Sequence, residues 1–452
     1  MKSKIIAFFL IVSFILFSFS FINFYKVHKF SSTNVKNDIK YISSDEFKGR
    51  LAGTFENEEI ETYISNTFKS NGLKSLNTNY FDSFQCEYPS KMAGKPYLII
   101  EDKKGNLIKT YTYGKDYKED MLNFAKNSVL FNSKDDIDFS NTVMQVIKGN
   151  GRFIFYVPPN NNLTFRSSFI YNAPCSMYIM LDSNVLPEIK KYIDSGYNVS
   201  CYIPYEVKQT SINNVIGYIE GKNPNAPPVV LSAHFDHVGT DLSGNIYNGA
   251  LDNASGISYL MELNRYLSTI GKPNRNIYFI GFNAEEFGCL GSMHFVQKYN
   301  SMLKGAKVFN FDMIGSSSVA LSVMGGESDT RNTPLVRSIT SICNNQNIKL
   351  NYLFQDSSDH EAFRKYSIEA VTFCDDDLTR IHTPNDKADF ISTASIDRCF
   401  KVSSKKIIAS AYDNYLFIFY YKQICICSLF STIILSAALV YIKINKNKRE
   451  VK

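Results

Sequence analysis

The spacing of hydrophobic positions changes several times along the chain, and each change marks a different kind of structure. Ile5–Tyr25 is apolar and carries no charge, with Lys2 and Lys4 before it and Lys26 and Lys29 after it. At about 1.5 Å per helical residue, such a run is long enough to cross a bilayer. Ile424–Ile442 is a second apolar run, led by Leu416-Phe417-Ile418-Phe419-Tyr420-Tyr421. Between them, residues 33–88 read as helical and amphipathic, most clearly over Glu58–Ser70, which ends at Asn71-Gly72. From about 90 to 212, short β-rich runs such as Pro96–Glu101, Arg152–Val157 and Met177–Leu181 are separated by Asn-rich loops, with one helix at Leu186–Ser195. From Asn213 onward strands and helices alternate. Val229–Ala233, Ile277–Phe282, Val308–Phe311 and Ala370–Phe373 read as strands; Ala254–Ile270 and Gly288–Tyr299 read as helices. The pattern predicts an α/β fold: a mixed central sheet with parallel members, flanked by helices, carrying a β-rich inserted subdomain and terminal membrane helices.

The expected organisation follows. Residues 1–28 form a signal anchor or signal peptide, 29–89 a helical leader and 90–212 the insert. Residues 213–412 form the main α/β domain, 416–442 a transmembrane segment and 443–452 a basic tail. Ser18-Phe19-Ser20 is a poor small-x-small cleavage site, which favours the uncleaved anchor. Lys443, Lys446, Lys448, Arg449 and Lys452 follow the second run, and basic residues beside a membrane helix favour the cytoplasmic side. Both termini are then expected inside, with everything from about Lys29 to Lys422 outside the cytoplasm.

Composition changes this picture little. The chain has 452 residues, a formal charge of +6, and is 44% hydrophobic and 14% aromatic, enough for a sizeable core and for more than one domain. Much of the positive charge sits in the C-terminal tail, so it does not argue for a nucleic-acid partner. Cys86, Cys175, Cys201, Cys289, Cys343, Cys374, Cys399, Cys425 and Cys427 are scattered, with no metal-finger spacing. Isolated buried thiols are expected, with one extracytoplasmic disulfide left open. Oligomeric state is not legible.

Candidate chemistry concentrates in 229–389. His234 lies in Ser232-Ala233-His234-Phe235-Asp236-His237, and Asp252 in Ala250-Leu251-Asp252-Asn253-Ala254-Ser255-Gly256. Glu286 lies in Ala284-Glu285-Glu286-Phe287-Gly288, Asp312 in Asn310-Phe311-Asp312-Met313, and His382 in Ile381-His382-Thr383-Pro384. Three of the motifs follow strands directly, and the carboxyl edge of an open α/β sheet is where ligands bind. Imidazole and carboxylate donors without a thiolate suit zinc. Two ions sharing five ligands need one ligand to bridge, and Glu285, an acid beside a ligand, suits a base for water. Asp236 is placed to accept a hydrogen bond from the far nitrogen of His234. His237 is expected to point away from a site that contains His234, and is given no ligand role. Taken singly, each motif has a bland reading: a helix cap for Asp252, a solvated helix start for Glu285-Glu286, a loop histidine for His382.

Together, the five motifs make the segment from about 213 to 400 resemble family twenty-eight of the metallopeptidases, the two-zinc aminopeptidases related to glutamate carboxypeptidase II. Ser358-Asp359-His360-Glu361-Ala362-Phe363 resembles a further family element, and Ser43–Gly53 resembles the leader before the catalytic domain. Leu251 departs from the family, which often has a second Asp there. The resemblance implies a zinc exopeptidase fold and two zinc ions bridged by Asp252. One ion would take His234 and Asp312, the other Glu286 and His382, with Glu285 as general base and Asp359 orienting groups around the site. It implies peptide substrates, cleaved at the N-terminus by metal-activated water. Two other readings remain: a one-zinc acyltransferase like glutaminyl cyclase, and a non-catalytic, receptor-like ectodomain.

Overall fold

Alternation within single strands explains how the sheet buries both of its faces. The computed structural model describes residues 2–412 and 415–450; Met1, Asp413, Asn414, Val451 and Lys452, the last two within the expected basic tail, lie outside the described residues. The main sheet contains β1 (Lys74–Ser75), β2 (Phe81–Lys91), β3 (Tyr205–Ile219), β4 (Val229–His234), β5 (Ile277–Phe282), β6 (Lys307–Phe311), β7 (Leu321–Gly325), β8 (Leu350–Phe354) and β9 (Glu369–Asp375). Their order is β1-β3-β5-β4-β6-β9-β7-β8, with β2 paired to β3. The neighbours β5, β4, β6 and β9 are parallel, while β3 and β7 join them antiparallel, so the sheet is mixed.

In β4, Val229, Leu231 and Ala233 enter one core and Val230 the other; in β5, Ile277 and Phe279 oppose Tyr278, Ile280 and Phe282. Both faces are covered, which is why these strands read as continuous apolar runs. In chain order the helices are α1 (Lys2–Lys26), α2 (Ser32–Ile42), α3 (Phe55–Ser70), α4 (Val185–Asp194), α5 (Ser255–Leu267), α6 (Leu290–Tyr299), α7 (Pro334–Asn344), α8 (His360–Lys365), α9 (Thr393–Ala411) and α10 (Tyr415–Glu450). Ile39 of α2, Ile64 of α3, Ile257 of α5, Ile339 of α7 and Ile396 of α9 pack on the first face. Phe295 of α6 and Phe363 of α8 pack on the second.

Two differences from the sequence reading concern the way into and out of the insert. Residues 81–88, expected within a helical leader, form β2, which runs against β3 from Phe81↔Val215 to Lys91↔Tyr205. β3 itself runs continuously across the expected boundary at 212/213. Between β2 and β3 the chain forms a four-stranded sheet (97–101, 107–110, 128–131, 198–202) and a five-stranded one (117–119, 136–139, 143–148, 151–156, 177–181). These share a core of Leu98, Ile100, Phe131, Phe155, Ile179 and Ile189. The cysteines are free thiols, and all but Cys427 are buried.

The stretches Ser3–Ile22 and Phe417–Asn445 are each long and apolar enough to cross a membrane. Helices α1 and α10 lie against each other: Ser13 Oγ donates to Ser428 O at 2.9 Å, and the rings of Phe19 and Phe417 are 5.0 Å apart.

Candidate metal centre

Parallel strands bring the motifs to one edge. β4 ends at His234, β5 at Phe282 just before Glu285 and Glu286, and β6 at Phe311 just before Asp312. Asp252 precedes α5, and His382 lies on the loop after β9. The small residues after Asp252 have a packing reason: a Cβ on Gly256 would lie 2.2 Å from Phe311 O, so the start of α5 fits against the end of β6 only without a side chain there. Asp252 does not cap α5, whose N-cap is Ala254 with no side-chain hydrogen bond.

The donor atoms fall into two groups. In one, His234 Nε2 lies 3.5 Å from Asp312 Oδ1 and 3.9 Å from Glu285 Oε2. In the other, His382 Nε2 lies 3.1 Å from Glu286 Oε1, and His237 Nδ1 lies 2.9 Å from the same oxygen. Asp252 lies in the second group and reaches toward the first: Oδ2 is 3.2 Å from His382 Nε2 and Oδ1 is 3.6 Å from His234 Nε2. His237, set aside in the sequence reading, therefore faces the second group. The strand's alternation stops at His234, and the loop beyond it is turned by Arg50, whose backbone carbonyl accepts from His237 N and whose guanidinium donates to Phe235 O at 2.6 Å.

These groups are buried, with His234 1%, Asp252 5%, Glu286 1% and His382 9% exposed. Three buried histidines and several buried carboxylates in contact are costly unless cations join them. Several of their atoms also lack any hydrogen-bond partner: both nitrogens of His234, His237 Nε2 and Asp312 Oδ1. Each group's ligand atoms lie within 4.8 Å of one another, a spacing a single ion can span. Oxygen and imidazole donors so arranged fit zinc.

Surrounding residues hold the donors in place. Ser358 Oγ donates to Asp312 Oδ2 at 2.8 Å, and Asn310 Nδ2 donates to Ser358 Oγ at 2.9 Å. The Asp386 carboxylate accepts the backbone N–H groups of Leu251 and Asp252. Asp236 accepts those of Glu285 and Glu286, each at 3.1 Å; the contact expected with His234 Nδ1 is longer, at 3.6 Å. Asp359 is fully buried; burial pushes its carboxyl up to about 7, with His234 and Ser292 opposing. Arg50, within the stretch Ser43–Gly53, is wholly buried and donates to the carbonyls of Phe235, Asn248 and Gly249, tying the His234 loop to the Asp252 loop.

The insert, read from the sequence as lid-like, reaches the site through residues that the sequence did not single out. Ser168 Oγ donates to Glu286 Oε2 at 2.6 Å, Phe169 N donates to Glu286 O at 2.9 Å, and the carbonyl of Arg166 lies 2.9 Å from His382 Nδ1. Phe165 stacks on the His382 ring at 5.7 Å. Arg166 is anchored by a buried pair with Glu119 at 3.0 Å and by donation to Val238 O at 2.9 Å.

The two adjacent glutamates are driven apart electrostatically. Burial pushes Glu285 well above the usual carboxylate range, helped by Glu286, Asp359 and Asp312 and opposed by His234. Burial acts the same way on Glu286, but the imidazoles of His382 and His237 outweigh it and hold that carboxyl well below the range.

Residues 214–407 match peptidase family M28. Aminopeptidase YwaD of Bacillus subtilis (strain 168) is 24% identical over 364 residues, 76% of this chain and 77% of the relative. A glutamate carboxypeptidase 2 homolog of Caenorhabditis elegans is 30% identical over 146 residues, 31% of this chain and only 18% of the relative's length. The crystal structure of a zinc aminopeptidase from Bacillus subtilis superposes with a TM-score of 0.58 at 19% identity, covering 85% of this chain and 97% of that one. Residues 214–407 thus resemble peptidase family M28, and the chain has the fold of a solved zinc aminopeptidase.

Proposed function

We propose that the chain is a membrane-anchored, two-zinc aminopeptidase that removes N-terminal residues from peptides outside the cytoplasm. The observation that carries this reading is the division of the Asp252 carboxylate, one oxygen toward His234 and the other toward His382. His234 and Asp312 would hold one zinc, Glu286 and His382 the other, with Asp252 between them. Bound there, zinc supplies Lewis-acid polarisation of the scissile carbonyl and makes water more acidic. Glu285 takes the proton from the attacking water and passes it to the leaving amine. Its backbone is fixed by Asp236 and its Oε2 is turned toward the first donor group. The buried carboxylates favour a substrate's free α-amine over an uncharged internal amide.

The basic residues after the second apolar run support cytoplasmic termini, and the terminal helices support anchoring. The test is hydrolysis of an aminoacyl reporter amide by the full-length protein, abolished by a chelator and restored by zinc. An N-acetylated reporter should resist. Equal cleavage of both reporters, or cyclisation of an N-terminal glutamine instead of hydrolysis, contradicts the reading. Protease shaving of sealed cells tests the topology: residues 29–422 should be cut without permeabilisation.

A further inference from the structure

His237 joins the second donor group by more than proximity. It is wholly buried, and its Nδ1 lies 2.9 Å from Glu286 Oε1 and 3.9 Å from Asp252 Oδ2. Its ring packs against the backbone of Gly249, whose φ is +55°: a Cβ there would lie 2.5 Å from His237 Cγ and Cδ2. The His382 ring stands at 82° to it, with centroids 5.4 Å apart. His382 Nε2 lies 3.1 Å from the same Glu286 oxygen and 3.2 Å from Asp252 Oδ2. The carbonyl of Arg166 accepts from His382 Nδ1, so that nitrogen carries the proton and Nε2 presents a lone pair to the carboxylates. A lone pair facing a carboxylate oxygen in a dry site needs a cation between them.

Four donors held tetrahedrally around one zinc stand about 3.3 Å from one another. The contacts among His237 Nδ1, His382 Nε2, Glu286 Oε1 and Asp252 Oδ2 are 2.9, 3.1, 3.2 and 3.9 Å, and all four ligand atoms lie within 4.8 Å of one another. Ser168 Oγ holds Glu286 Oε2, so Glu286 offers the group one oxygen only. On the other side, His234 Nε2, Asp312 Oδ1 and Asp252 Oδ1 make three donors, with Glu285 Oε2 3.9 Å from His234 Nε2. A zinc with four protein ligands is closed, whereas one with three keeps a position for water or substrate. We propose that His237 is the fourth ligand of the second ion, which closes that site and leaves the exchangeable position on the first ion, beside Glu285. The inference rests on the two-ion reading and adds to it which ion holds the attacking water.

The test strips the full-length protein of metal and titrates it with zinc against a chromogenic chelator. His237→Asn keeps an N–H for Glu286 near the place of Nδ1 but removes the ligand nitrogen. Loss of a partner outside the coordination shell weakens a site by about 10- to 100-fold. His237→Asn should exceed that, weakening one of the two sites by more than about 100-fold and leaving the other. A smaller loss would reduce His237 to a hydrogen-bond partner of Glu286 and overturn the proposal. X-ray absorption of the wild-type protein carrying one equivalent of zinc needs no variant: the closed site should fill first and show two imidazoles on that ion. A single imidazole would overturn the proposal as well. Wild type that takes up no second zinc fails the two-ion reading itself, whereas two bound ions with a tolerant His237→Asn fail only the ligand assignment.

Discussion

Asp236 accepts the backbone N–H of Glu285 at 3.1 Å, so the residue two beyond one candidate ligand fixes the proposed base from the next strand. Its other oxygen accepts Glu286 N, and its contact with His234 is a looser 3.6 Å. Asp236→Asn keeps the shape but presents an NH₂ to one of the two N–H groups. Zinc affinity is expected to fall by about 10- to 100-fold, with the fold retained. Competition with a chromogenic chelator measures this; unchanged affinity would confine Asp236 to backbone packing.

Glu285→Gln should keep the zinc content and lose turnover. The amide cannot take a proton, and loss of general-base help costs about 10²- to 10⁴-fold. Single-turnover assays on an aminoacyl reporter decide it, and retention of most activity removes Glu285 from the role.

Asp252→Ala should deplete metal more than His234→Ala or His382→Ala, because only Asp252 reaches both donor groups. Zinc remaining after dialysis is the readout. A variant that keeps as much zinc as either histidine variant would show that Asp252 does not bridge.

Glu119→Gln leaves the Arg166 guanidinium buried without its carboxylate. Removing one partner of a buried pair costs about 3–5 kcal/mol. Because the Arg166 carbonyl meets His382, zinc should also bind more weakly. Urea unfolding with and without zinc checks both effects; a loss below about 1 kcal/mol would mean that solvent reaches the pair.

The candidate ligands were legible in the sequence because each of three follows an apolar strand directly, and strand order then fixes their meeting point. His237 was not legible: parity along β4 predicts its direction only while the strand lasts, and the strand ends at His234. Ser168 and Arg166 meet Glu286 and His382 across 118 and 216 residues, distances over which no spacing rule operates. Arg50 was quoted only as part of a leader, since nothing local says that a charged side chain will be wholly buried among carbonyls. Residues 81–88 were read as helix although Phe84 and Cys86 are buried in alternation with exposed Ser83 and Gln85; the short polar run hid a period of two behind the strong helical pattern of Glu58–Ser70.

The central claim is that two donor groups sharing Asp252 hold two ions. Elemental analysis of zinc per chain in the full-length protein, after dialysis against metal-free buffer, tests it most directly. Two zinc ions per chain are predicted. One would favour the cyclase-like reading and none the receptor-like one, and either result would contradict the account.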